Sequence, residues 1–237
     1  MSNPPTVGSM DESGSIYAEG RVRLTDLVTS ADPEGTTGPV PGCPQWAVKD
    51  VIAHVTGVCA DVLAGNIEGV ATEPWTAAQV AQRKHKSLPE ILEEWSEVAP
   101  QVEAMASNFP MRVDEQWVLD LTTHEQDVRG ALGAPGARDA AGVMVGLDFA
   151  ATMGLAASIE ARGLPALRLQ AGDREFLVGK GEPAASLEGS PFDLFRAMTG
   201  RRSEKQVRRL QWDGDVDAFV PAFEFGPFTF PAADLVE

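Results

Sequence analysis

The sequence predicts an α+β protein: a bundle of amphipathic helices followed by a small α/β domain. Apolar residues recur at spacings of three and four in successive segments as far as Gly163, the period of a helix with one buried face. After Pro165 the period falls to two, in Leu167–Gln170 and Glu175–Val178, which is the pattern of strands. The chain has 237 residues, 43% apolar and 23% charged, an ordinary composition for a chain that buries a core.

In chain order, residues 1–14 are polar and rich in Pro, Gly and Ser, so a disordered tail is expected there. A first helix is expected over Ser15–Ser30, then a Pro/Gly/Thr-rich loop over 32–44. The second helix starts near Trp46 and buries Val48, Val51, Ile52, Val55, Val58, Cys59 and Val62. An irregular stretch is expected over 74–86. Ser87-Leu88-Pro89-Glu90 then reads as a capping box with proline in the first turn. The helix it opens carries Ile91, Trp95, Val98 and Val102, is expected to kink or be interrupted at Pro100 and stops at Pro110. The next runs over about 114–132 and buries Trp117, Val118, Leu121 and Val128, with Gly133 and Pro135 beyond it. A very apolar helix follows over about 140–162.

Beyond it come a hairpin turning at Ala171–Arg174, a short helix over 192–199 and a strand over 207–212. The expected domains are therefore a bundle over 15–163 and an α/β domain over 164–237.

The charge balance excludes some functions. The net charge is −16, from 35 acidic and 19 basic side chains, and such a chain repels phosphate backbones and anionic lipid. Nucleic-acid and membrane partners are not expected. No apolar run of membrane-spanning length and no secretory signal are read. Two cysteines, Cys43 and Cys59, make no disulfide framework, so a cytoplasmic protein is expected, with Cys59 as a core residue. The basic cluster Arg201, Arg202, Lys205, Arg208 and Arg209 is either a small-anion site or a solvated face.

The residues with chemistry are scarce. There are three histidines, and His54 and His124 lie at the edges of apolar helical faces. Asp120 and His124 are four apart, hence one turn apart on one face, and Asp127 continues the row. A carboxylate and an imidazole at this spacing can grip one divalent ion, and His54 from a facing helix would complete a two-histidine, one-carboxylate set with an open position. The plain alternative is a hydrogen-bonded Asp–His pair beside a structural histidine. Asp127 either orients a ligand imidazole or is a helix-surface carboxylate near Arg129 or Arg83. Arg201 either clamps a substrate carboxylate or is solvated. Arg83 and His85 are candidates for the mouth of the crevice, with His85 between two lysines reading as solvent-exposed.

Three segments sharpen this. The run Cys43-Pro44-Gln45-Trp46, with Asp50, Ala53-His54 and Gly57 after it, resembles the first metal-ligand helix of the mycothiol-dependent maleylpyruvate isomerase family, a branch of the DinB-like four-helix bundles. Trp117–Gly133, with Asp120, His124 and Asp127, resembles that family's second ligand helix. There a glutamate stands where this chain has Asp120, one methylene shorter. Leu194–Arg202, ending Gly200-Arg201-Arg202, resembles the family's C-terminal domain.

The resemblance implies a DinB-like bundle and a divalent metal, Zn²⁺ first, held by His54, Asp120 and His124. It also implies mycothiol as co-substrate and a small electrophile as substrate, in an isomerase or S-transferase. A thiol that displaces water at an open zinc position loses its proton and becomes a nucleophile at neutral pH. Two other functions stay open: a hydrolase using metal-bound water, and a non-catalytic metal- or ligand-binding module.

Overall fold

The computed structural model describes residues 10–237, with side chains from Glu12 onward; residues 1–9 of the expected tail lie outside the described residues. The chain divides into two compact units, Met1–Gly136 and Ala137–Glu237.

The first unit is a four-helix bundle with one added helix. Its helices are α1 (Met10–Ser30), α2 (Val48–Ala64), α3 (Glu73–Arg83), α4 (Leu88–Met105) and α5 (Val113–Ala131). Helices α1, α4, α2 and α5 form a closed ring of neighbours, and α3 packs on α2. The core is filled by Leu24, Ile52, Val55, Ile91, Trp95, Leu121 and their neighbours, all within 2% of full burial. Tyr17 stacks flat on Trp117 with ring centroids 3.5 Å apart and meets Trp95 edge-on.

Several elements differ from the sequence expectation for identifiable reasons. Helix α1 begins at Met10, inside the stretch read as tail, because Ser13 is buried and donates to the carboxylate of Asp114, while Gly14 lets the backbone at Glu103 approach closely. The loop before α2 contains a small antiparallel hairpin, β1 (Pro39–Val40) with β2 (Cys43–Ala47). The stretch read as irregular is α3. Its buried side chains are Trp75, Gln79 and Arg83, spaced by four, so its inner face is real but mostly polar and escapes a search for apolar periodicity. Helix α4 continues through Pro100. That residue is exposed, as is Ser96, so the carbonyl that proline leaves without its helical donor can turn to water.

The second unit opens with one long helical stretch: α6 (Ala141–Phe149), a π-helical turn (Ala150–Leu155) and α7 (Ala156–Ala161). This stretch was expected within the bundle, but the unit boundary lies a whole helix earlier, and α6 packs on α8 (Pro191–Met198). It is also long and apolar enough by composition to cross a bilayer, contrary to the expectation of no such run. Half of its most apolar window is buried, and the stretch packs on α8 rather than standing alone. Gly154, in the π turn, admits the ring of Phe225 where any Cβ would clash at 2.2 Å.

The sheet of this unit has the order β4-β3-β5-β6, from β3 (Ala166–Ala171), β4 (Arg174–Val178), β5 (Pro183–Gly189) and β6 (Gln211–Gly214). The predicted hairpin β3–β4 is present, with Ala171 opposite Arg174. Strand β5, which the sequence reading passed over, runs parallel to β3. The strand expected over 207–212 is divided. Ser203 and Gln206 form a capping box that starts α9 (Glu204–Arg208), and only Gln211 onward is strand. The basic cluster is laced with acids rather than open: Arg208 pairs with Glu204 and Asp217, Arg202 with Asp193 and Glu237, and Lys205 and Arg209 both approach Asp234.

Candidate metal centre

The first unit brings His54, Asp120 and His124 together. Each offers one ligand atom, and the three atoms lie within 4.8 Å of one another. His54 Nε2 is 3.3 Å from Asp120 Oδ2, and His124 Nε2 is 3.6 Å from Asp120 Oδ1. Two ligands about 2.05 Å from one tetrahedral ion stand about 3.4 Å apart, so these separations fit a shared divalent cation. Asp120, though shorter than glutamate, reaches both imidazoles. The histidines are buried, with side chains 4% and 9% exposed, whereas the Asp120 side chain is 34% exposed. The set therefore opens to solvent on the carboxylate side.

The motif around His54 has a physical reading, residue by residue. Trp46, just before α2, puts its ring 5.1 Å from that of His54 and 5.8 Å from that of His124, forming an apolar wall. Asp50 accepts the backbone N–H of Ala47 at 3.0 Å and so anchors the first turn of α2. His54 sits one turn later. Gly57 is where α3 crosses: a Cβ there would lie 2.5 Å from Cβ of Gln79 and 2.9 Å from the guanidinium of Arg83.

Helix α5 supplies the other two ligands and is buried nearly all round. Thr122 through Asp127 are all buried, an uncommon state for so polar a run. Much of the run is paired. Glu125 binds Arg23 and Arg129, and Gln126 donates to the carbonyl of Gly136. The fully buried carboxylate of Asp127 lies 3.2 Å from His124 Nδ1. The approach is off the line of a well-formed hydrogen bond, so that nitrogen has no aligned acceptor.

Gln79 was not foreseen. Its side-chain oxygen is 2.8 Å from His54 Nδ1, and its amide nitrogen donates to Asp61 at 2.8 Å. The signal that would have found it is the spacing of Trp75, Gln79 and Arg83 by four. Cys43, given no role from sequence, falls in a second cluster with His124 and Asp127, again within 4.8 Å.

The arginines are otherwise engaged. Arg83 makes a two-pronged pair with Glu94 and donates to the carbonyl of Gln79, with 6% of its side chain exposed. Arg201 belongs to the second unit, where it is buried and donates to the carbonyl of Thr199 at 2.6 Å. His85 is exposed, as read. Cys59 is fully buried, and burial pushes its thiol up to about 12 despite the hydroxyl of Tyr17 at 3.4 Å, which removes it as a nucleophile.

Comparison with known proteins bears on this arrangement directly. The family model described as the mycothiol maleylpyruvate isomerase N-terminal domain matches residues 17–135, half of the chain. This chain belongs to the mycothiol maleylpyruvate isomerase family. The match takes in α2, α3, α4, α5 and the last two-thirds of α1, with every residue of the candidate centre. Among solved structures, the crystal structure of the mycothiol-dependent maleylpyruvate isomerase aligns with a TM-score of 0.57 at 13% identity, covering 82% of this chain and 90% of that one. A histidine-to-alanine mutant of that isomerase aligns equally well, at 12% identity, covering 81% and 90%. At these identities the likeness establishes the shared fold, helical bundle and sheet-bearing unit alike. No curated protein matches the chain.

Proposed function

We propose that this family member is a divalent-metal-dependent, mycothiol-using S-transferase or isomerase acting on a small electrophile, with the metal held by His54, Asp120 and His124. The observation that carries the reading is the convergence of two buried imidazoles and one partly exposed carboxylate within 4.8 Å, both Nε2 atoms facing that carboxylate, in a bundle of this family.

A divalent ion of the zinc type, bound there, supplies Lewis acidity that makes a thiol acidic near neutral pH. Three protein ligands would leave a position for that thiol. His54 and His124 hold the ion from two different helices. Asp120 lies on the solvent side, next to where the thiol enters. Asp127 orients the ring of His124, and Trp46 keeps one side of the pocket dry. The substrate-binding part expected of Arg83 and Arg201 is not carried forward, because both guanidiniums are buried against partners within their own units. A thiol-based activity fits the reducing cytoplasm in which the chain was expected from its unbridged cysteines.

Elemental analysis of the purified protein, followed by thiol-consumption assays with mycothiol and a panel of small electrophiles, tests the reading. One metal per chain and mycothiol-dependent turnover are expected. Turnover that proceeds without any thiol would replace the transferase or isomerase with a hydrolase.

A further inference from the structure

One polar chain in the first unit ends on the candidate metal centre from the protein side. Asn66 donates its side-chain N–H to Asp61 Oδ1 at 2.9 Å, and Gln79 donates its side-chain N–H to Asp61 Oδ2 at 2.8 Å. The oxygen of Gln79 then lies 2.8 Å from His54 Nδ1. Gln79 is completely buried, His54 is 3% exposed and Asp61 8%, so water cannot readily stand in for either partner of Gln79.

We infer that Gln79, locked by Asp61, is a positioning residue that holds His54 in its Nδ1–H form and so presents a bare Nε2 to the metal. The inference rests on the proposed reading of the centre. The logic is one of donors and acceptors. An ionised carboxylate only accepts, so the amide of Gln79 cannot flip without setting oxygen against oxygen in a buried place. The amide oxygen also only accepts, so the ring nitrogen facing it carries the hydrogen. A neutral imidazole has one hydrogen to place, so with Nδ1 holding it, Nε2 turns its lone pair to a cation set between the ring and the Asp120 carboxylate, 3.3 Å away.

Two further contacts give the arrangement its reach. Gly57 lets α3 lie close enough for Gln79 to meet His54, since a Cβ at that position would fall 2.5 Å from the Gln79 side chain. Arg83 donates to the backbone carbonyl of Gln79 while bound to Glu94. The two imidazoles are thus oriented by different means. His124 faces a carboxylate in an off-axis contact, and His54 faces a neutral amide in a well-formed one. A neutral partner directs the ring without placing another negative charge directly on it.

The test uses the full chain and two variants. Gln79→Met keeps the length and removes the acceptor. Gln79→Glu combined with Asp61→Asn exchanges the polarity of the pair and restores an acceptor on His54 with a donor behind it. Zn²⁺ and Co²⁺ affinity are measured by competition titration. The ring form of His54 is read by imidazole ¹⁵N NMR of the metal-free protein above the pH at which histidines titrate, and thermal unfolding of the metal-free protein is followed in parallel.

Gln79→Met is expected to weaken metal binding about 10- to 100-fold and to move His54 away from the Nδ1–H form, and the double variant to recover most of both. Unchanged affinity and ring form in Gln79→Met would overturn the assignment. So would losses in both variants that follow only their thermal stability. A wild-type chain that binds no metal would instead sink the proposed function, while the ring form of His54 would still decide for or against Gln79.

Discussion

Helices α4 and α5 line the same bundle core, yet they are built on opposite terms. Helix α4 buries Ile91, Trp95, Ala99 and Val102 and turns its glutamates outward or onto partners, the ordinary amphipathic solution. Helix α5 buries its apolar face, with Trp117, Leu121 and Val128, and also the polar run from Thr122 to Asp127. Burying polar groups costs free energy unless they are bonded, and α5 carries that cost over nearly two turns beside His54 from α2. On the proposed reading, α4 holds the scaffold together and α5 presents ligands from inside it. Substitutions on α5 should therefore alter metal binding while leaving the helical fold, and those on α4 should do the reverse.

The strongest break in that contrast is expected at His124. His124→Ala should abolish stoichiometric metal binding with far-ultraviolet circular dichroism unchanged, as read by elemental analysis after dialysis. A variant that keeps one tightly held ion per chain would show that α5 does not carry the ligand. Trp95→Ala on α4 is the counterpart. It removes a 1%-exposed indole from the core and should cost about 3–5 kcal/mol of stability in chemical unfolding, with the surviving folded protein still able to bind metal.

At Asp120 the expected effect is graded. Asp120→Ala should weaken zinc binding by more than the Gln79 variants do, since a ligand atom is lost outright. Asp120→Glu, which installs the longer carboxylate that the family resemblance implies at this position, should retain the site. Competition titration orders the three, and an alanine variant as tight as wild type would remove the carboxylate from the set. At Gly57 the effect is on packing first. Gly57→Ala forces α3 away from α2 and should cost about 1–3 kcal/mol by overpacking, with a further loss of metal affinity if α3 carries Gln79 with it.

How much of this could be read in advance divides along the same line. The apolar stripes of α2 and α5 were legible, and so was the meeting of His54 with the Asp120–His124 pair, because a period near 3.6 and a scarce residue on its edge leave a local signature. Helix α3 left none, since Trp75 is the only large apolar side chain on its buried face and Gln79 and Arg83 are buried for their bonds. Strand β5 is made largely of small residues, and α9 did carry a signal, the capping box of Ser203 with Gln206, which the strand-like apolar ends of the stretch outweighed. The unit boundary was misjudged for a different reason. A helix is assigned by its own sequence, but its unit is fixed by what it packs on, and the partner of α6 is α8, some fifty residues later.

The smallest expected effect concerns Glu94, the one α4 side chain tied to the positioning helix. Burial alone would raise its carboxyl, but the hydrogen bonds and charges of Arg83 and Lys86 together outweigh that and hold it below the ordinary carboxylate range. A group lowered on folding stabilises the folded state above its unfolded pKa and loses that contribution as pH falls through the folded value. Glu94 is only partly shielded from solvent, so the pairs should contribute no more than about 1 kcal/mol. Comparing wild type with Glu94→Gln by urea unfolding, the difference should stay constant between about pH 6 and 8 and shrink below about pH 4.3, the unperturbed glutamate value. A difference that persisted undiminished into strong acid would mean that Glu94 holds α3 to α4 by packing, and that the charge on Arg83 plays no part in seating Gln79.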